Sequence, residues 1–111
     1  MIVVADEEFE KILAEAIDLL PEDFAKKMNN VAVVWEHEPN NNQRKKLQLR
    51  GNQTLFGLYE GIPLTARNNN YSMVLPDKIT IFKDPICNNS KSIEELKLEV
   101  GKTLWHEVAH H

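Results

Sequence analysis

The sequence predicts an α+β domain, and three observations predict it. An apolar stripe of helical period follows an acidic start near the N-terminus. Short β-branched and alternating runs occupy the middle of the chain. A long amphipathic pattern, opened by Ser92, closes it at His106-Glu107-Val108-Ala109-His110-His111. With 111 residues, 42% hydrophobic and 27% charged, residues 1–111 suit one domain with a single modest core.

The first helix is expected to be capped by Asp6, with Glu7 and Glu8 in the turn where the helix dipole favours acids. Phe9, Ile12, Leu13, Ala16, Ile17 and Leu20 then recur at the spacing of one buried face. Pro21 ends this helix or starts a second short one through Glu22-Asp23-Phe24.

Val31-Ala32-Val33-Val34-Trp35 reads as a buried strand. His37 follows, between Glu36 and Glu38. On a strand these acids point away from it, so a solvated strand end is expected there and not a ligand cluster. Asn40 to Lys46 reads as a polar loop, and Leu47-Gln48-Leu49 as a brief strand or more of that loop. Leu55 to Leu64 forms a second hydrophobic segment, in which Gly57 and Gly61 permit close backbone approach. Asp77 to Phe82 alternates polar and apolar residues, the pattern of a half-exposed strand, and Asp84-Pro85 is expected to stop it.

The last helix opens on the capping box Ser92-Ile93-Glu94-Glu95. Ile93, Leu96, Val100, Leu104 and Val108 share its core side, while Leu98, Trp105 and Ala109 make a second apolar side, so a central helix is expected. His106 and His110 project from a third face, with Glu99 and Thr103 below them. Residues four apart share a face, so the two imidazoles can serve one metal ion. Glu107 lies roughly 100° around the helix from His106, where its carboxylate can reach a metal-bound water without being a ligand. This is the H-E-x-x-H pattern of zinc-dependent peptidases.

Composition excludes several alternatives. A formal net charge of −4 gives no electrostatic grip on nucleic acid, and Arg44-Lys45-Lys46 is a short run among asparagines. No apolar run is long enough to span a membrane, and the N-terminus lacks the features of a signal peptide. The single cysteine, Cys87, has no internal disulfide partner and reads as a small buried apolar residue, which fits a reducing, cytoplasmic setting.

Three blocks extend the motif. Leu58-Tyr59-Glu60-Gly61-Ile62-Pro63-Leu64-Thr65, Leu75-Pro76-Asp77-Lys78-Ile79-Thr80-Ile81-Phe82 and Leu104-Trp105-His106-Glu107-Val108-Ala109-His110-His111 occur in that order. Together they resemble the minimal zincin-like metallopeptidase family of prokaryotes. The resemblance implies an N-terminal helix and a small mixed sheet packed on a C-terminal active-site helix. It implies Zn2+ as cofactor, His106 and His110 as metal ligands, Glu107 as catalytic base, and a peptide or protein as substrate. It also implies a substrate strand lying along a sheet edge. Asp77–Phe82 is expected to be that edge and the strand nearest the zinc helix, making Lys78, Ile79, Thr80, Ile81 and Phe82 the substrate-binding residues. Ile79 and Ile81 should face the core.

The family continues past the motif with a glycine turn and an acidic third ligand, whereas this sequence stops at His111. A catalytic zinc takes three protein ligands plus water, so a domain incomplete at its C-terminus is expected. His111 lies about 140° around the helix from His106, and Glu99 roughly 10 Å below it, so neither substitutes. A zinc-binding protein without peptidase activity and a metal-free interaction module remain the competing readings. The sequence is silent on substrate specificity and oligomeric state.

Overall fold

Val31–Glu36 (β1), Gly57–Glu60 (β2) and Asp77–Phe82 (β3) form a three-stranded mixed sheet in the order β1-β3-β2. The computed structural model describes residues 1–48, 55–61 and 76–109. β1 runs parallel to β3, with Val33 opposite Ile79 and Trp35 opposite Ile81. β2 runs antiparallel to β3, with Tyr59 opposite Ile79 and Gly57 opposite Ile81. Paired residues share a sheet face, so Val33, Trp35, Ile79, Ile81, Tyr59 and Gly57 line one side. Asp6–Asp18 (α1) and Ile93–Ala109 (α5) pack over that side, placing Phe9, Leu96, Val100 and Leu104 with Ile79 and Ile81 at 0% exposure. Each such side chain contributes roughly 1.5–3 kcal/mol by leaving water. The architecture is the expected α+β arrangement of N-terminal helix, small mixed sheet and C-terminal helix.

The structure corrects the expectation for β3. It is the central strand and is hydrogen-bonded on both sides, so no backbone edge remains for a peptide to join. Ile79 and Ile81 do face the core, but Thr80 and Phe82, on the opposite face, are also fully buried. Lys78, Ile79, Thr80, Ile81 and Phe82 therefore do not form a substrate-binding edge. Alternation predicts one wet face only when nothing covers the polar side, and here that side is covered. The Thr80 hydroxyl is left without a hydrogen-bond partner among the described residues. Among the described residues β1 is an edge strand, half-buried except at Val34, which is exposed.

Several connections are helical where loops were expected. Glu22–Lys27 (α2) follows Pro21 as the sequence allows. Asn41–Lys46 (α3) replaces the polar loop. Asn40 accepts the Gln43 backbone N–H at 2.8 Å, and its own N–H donates to the Gln43 side chain at 2.9 Å, a complete capping box. β3 does stop before Asp84-Pro85, at Phe82, and the stop lies within the first turn of a further helix, Lys83–Asn89 (α4). First-turn N–H groups have no intrahelical acceptor, so Pro85 removes nothing there. Leu49, Gly51-Asn52 and the segment from Ile62 to Leu75 lie outside the described residues.

The start of α1 also differs. Ala5, not Asp6, occupies the cap position, without a side-chain cap bond. The Asp6 carboxylate instead accepts from Lys83 Nζ at 2.7 Å. Lys83 is only 8% exposed and lies 5.8 Å from the Trp35 ring centroid, so its charge is neutralised where it is buried. His37 joins this tie. Its Nδ1 lies 3.0 Å from Asp84 Oδ1 and its Nε2 3.7 Å from Asp6 Oδ2. The strand end is thus an ion-pair junction of α1, β1 and α4. Glu36 and Glu38 take no part in these contacts, as strand alternation implied.

Candidate metal centre

α5 is the element that carries the motif, and its start is fixed as the sequence foretold. Ser92 Oγ accepts the Glu95 backbone N–H at 3.1 Å. From there Leu96, Val100, Leu104 and Val108, four residues apart, fill the core side. That anchoring sets the helix rotation. His106 is held at the exposed surface, and Glu107, one step round toward the sheet, is half-buried.

Gly57 determines how closely the sheet approaches this helix. A Cβ added there would stand 2.7 Å from Thr103 Cγ2 and 3.3 Å from Glu107 Cγ. Only a residue without a side chain lets β2 come so near. The consequence is a cleft of about 500 Å³ between β2 and α5, bordered by Phe56, Gly57, Glu99, Thr103, His106 and Glu107. β2 is the outer strand on this side of the sheet, and among the described residues nothing pairs with its far edge. Sequence reasoning gave Gly57 a role in close approach but missed both its counterpart Thr103 and the use of β2 as the edge. The available signal was a glycine opening a strand that alternation alone did not mark.

His106 and Glu107 border one cleft. His110 lies outside the described residues, as does His111, and α5 is described through Ala109. Glu99 borders the same cleft, but its carboxylate lies 3.8 Å from Lys102 Nζ and about 10 Å along the helix from His106. Among the described residues no group of three or more histidine, cysteine, aspartate or glutamate side chains gathers around a point. What these residues bring to the cleft is the His106 imidazole and the Glu107 side chain, whose Cγ lies against the strand beside it. Imidazole nitrogen is a common zinc ligand, and a catalytic zinc takes three protein ligands. The close fit of Gly57 against Glu107 Cγ sets the stem of that side chain beside β2.

The other side of α5 is covered only in part, by Phe24 of α2, whose ring meets Trp105 edge-on at 4.8 Å. Leu98 and Trp105 are 66% and 51% exposed, and Ala109 is exposed as well. The helix is central as expected, packing against α1, α2, α4, β2 and β3, while part of its second apolar side borders an open groove against α1.

Comparison with known proteins agrees with this arrangement. No curated protein gives a significant match. Residues 28–111, from the end of α2 through the motif, match the family described as zincin-like metallopeptidase. That span covers both the sheet and the motif helix, and the chain belongs to the zincin-like metallopeptidase family.

Proposed function

We propose that this protein is a zinc-dependent peptidase acting through His106, Glu107 and His110. The single observation that supports this most strongly is the position of Glu107, which Gly57 admits to within contact of the edge strand beside His106. His106 and His110 would hold the ion. Bound zinc would polarise the scissile carbonyl and lower the pKa of its water toward about 7. Glu107 would accept the proton of that water and return it to the leaving amine, as a positioned general base does. The backbone of β2 would orient the substrate, pairing with an extended peptide at the edge that β3 does not have. Thr103 and Gly57 would keep that edge at its distance from Glu107.

The reading extends to setting. Among the described residues no helix is long and apolar enough to cross a membrane. Cys87 is buried and free, which supports a reducing compartment and a cytoplasmic location.

Zinc titration by calorimetry tests the ligand assignment. Wild type is expected to bind one ion, while His106→Ala and His110→Ala each lose it. Zinc affinity unchanged in both variants would remove the motif as the metal site.

A further inference from the structure

A groove of about 610 Å³ runs between α1 and α5. Leu19, Leu98 and Trp105 border it and are 83%, 66% and 51% exposed. Apolar side chains of this size, grouped around one concavity and rimmed by charges, mark an interaction surface and not scattered exposure. The face is also shaped in advance. Phe24 holds Trp105 edge-on, which fixes one wall. Gly101 forms an open floor, since a Cβ there would meet nothing within 4 Å.

The charges around the groove decide what covers it. Its α1 wall carries Glu15, and its α5 wall carries Lys97 and Lys102. Lys102 Nζ lies 3.8 Å from Glu99, but Glu15 and Lys97 form no ion pair among the described residues. One chain thus leaves an acidic edge and a basic edge unmatched on the same apolar face. Such a face complements itself. A two-fold axis running along the groove sets α1 of each copy on α5 of the other, so the Glu15 edge of each meets the Lys97 edge of the other. An axis across the groove would set acid on acid. We propose that this groove is the interface of a homodimer, with a second copy of the chain as its occupant. The apolar walls supply the affinity, and the unmatched charges set the orientation.

Helix dimensions give the scale. α1 and α5, of 13 and 17 residues, are about 20 and 25 Å long and about 10 Å wide, which makes a face roughly 20 Å square. Buried on both copies, that lies at the small end of specific interfaces, below about 1,200 Å² in total, so a weak, concentration-dependent dimer is expected. Glu107 lies roughly 160° round α5 from Trp105, so its cleft faces away from this interface and stays open in both copies. Association of this kind is independent of the peptidase reading.

Sedimentation velocity of the full chain over two decades of concentration tests this. Wild type is expected to pass from monomer to dimer, and the emission of Trp105 to move to shorter wavelength as the ring is covered. Leu98→Glu, at an exposed position with room for the new side chain, should raise Kd about tenfold or more by placing a charge in the covered centre. Glu15→Lys and Lys97→Glu should each weaken association. An equimolar mixture of those two variants should recover it, because every acid then meets a base across the interface. Recovery in the mixture also shows that neither variant has lost its fold. A monomer at every concentration overturns the proposal and leaves the groove to a peptide or a different protein. A dimer that Leu98→Glu leaves intact lies on another face and overturns it too. So does a dimer whose strength neither charge reversal alters, or one that the mixture fails to restore.

Discussion

Gly57 and Thr103 stand in a contact that only glycine allows, with 2.7 Å between the site of a Cβ at the first and Cγ2 of the second. This contact links sheet, helix and candidate catalytic carboxylate. Thr103 is buried and β-branched, so its χ1 is stiff and Cγ2 cannot swing away. Gly57→Ala should therefore push β2 from α5 and cost about 1–3 kcal/mol. For a domain of this size each kcal/mol lowers Tm by about 4–8 °C. Thr103→Ser removes Cγ2 and keeps the hydroxyl, so the double variant should recover most of the loss. Thermal denaturation of the four proteins measures the coupling. Additive losses would show that the two side chains do not compete for the same space.

A second expectation concerns pH. The hydrogen bond to Asp84 raises the pKa of His37 above its ordinary 6.5; partial burial opposes this, the Asp84 and Asp6 charges add to it and Lys83 subtracts. Because the folded value lies above the unfolded one, this contribution is complete below pH about 6.5 and is lost as pH rises through the raised value. Asp6 behaves oppositely. Its carboxylate is held below 3.8, chiefly by the hydrogen bond from Lys83, so its contribution is present above 3.8 and lost as pH falls through the lowered value. Urea denaturation across neutral to mildly alkaline pH should show falling stability, and His37→Asn should flatten that slope. An unchanged slope in the variant would place the titration elsewhere.

The Lys83–Asp6 pair should respond asymmetrically to truncation. Lys83 is buried and Asp6 is half exposed. Asp6→Ala leaves a buried ammonium without its partner, whereas Lys83→Met leaves a carboxylate that water can reach. Asp6→Ala is therefore expected to lower Tm more than Lys83→Met. The reverse order would mean that packing of the lysine stem, not its charge, holds α1 to α4.

Thr80→Val should stabilise the protein. The hydroxyl is fully buried and has no partner among the described residues. An unsatisfied group of this kind costs about 1–3 kcal/mol, and valine keeps its shape without the polar atom. A rise in the denaturation midpoint is the expected result, and a fall would show that the hydroxyl is satisfied in solution.

How far the sequence could be read depended on whether a signal was local. The stripe from Phe9 to Leu13, the Ser92 cap and the Leu96–Val108 face are repeats within one element, and each was legible. The Asn40–Gln43 capping box was equally local but was hidden in a polar run that composition marked as loop. Asp84-Pro85 was legible as the end of β3, but its place within the first turn of α4 was not visible. The order β1-β3-β2 is a long-range property, and nothing within Asp77–Phe82 reveals that both its edges are paired. His37 likewise meets Asp84 and Asp6 only after folding. At the candidate site, the place of His106 and Glu107 on the last helix was legible, while the approach of β2 depended on Gly57 meeting a helix far along the chain.

The central claim is that Glu107 handles a proton and the histidines handle the ion. Zinc content by atomic absorption, measured beside cleavage of fluorogenic peptides, tests it most directly in Glu107→Gln. Glutamine keeps the size of the side chain but cannot accept the proton, so zinc should remain while turnover falls by about 10²–10⁴-fold. Loss of zinc in Glu107→Gln would make the glutamate a ligand, and full activity with zinc retained would mean that hydrolysis does not pass through this motif.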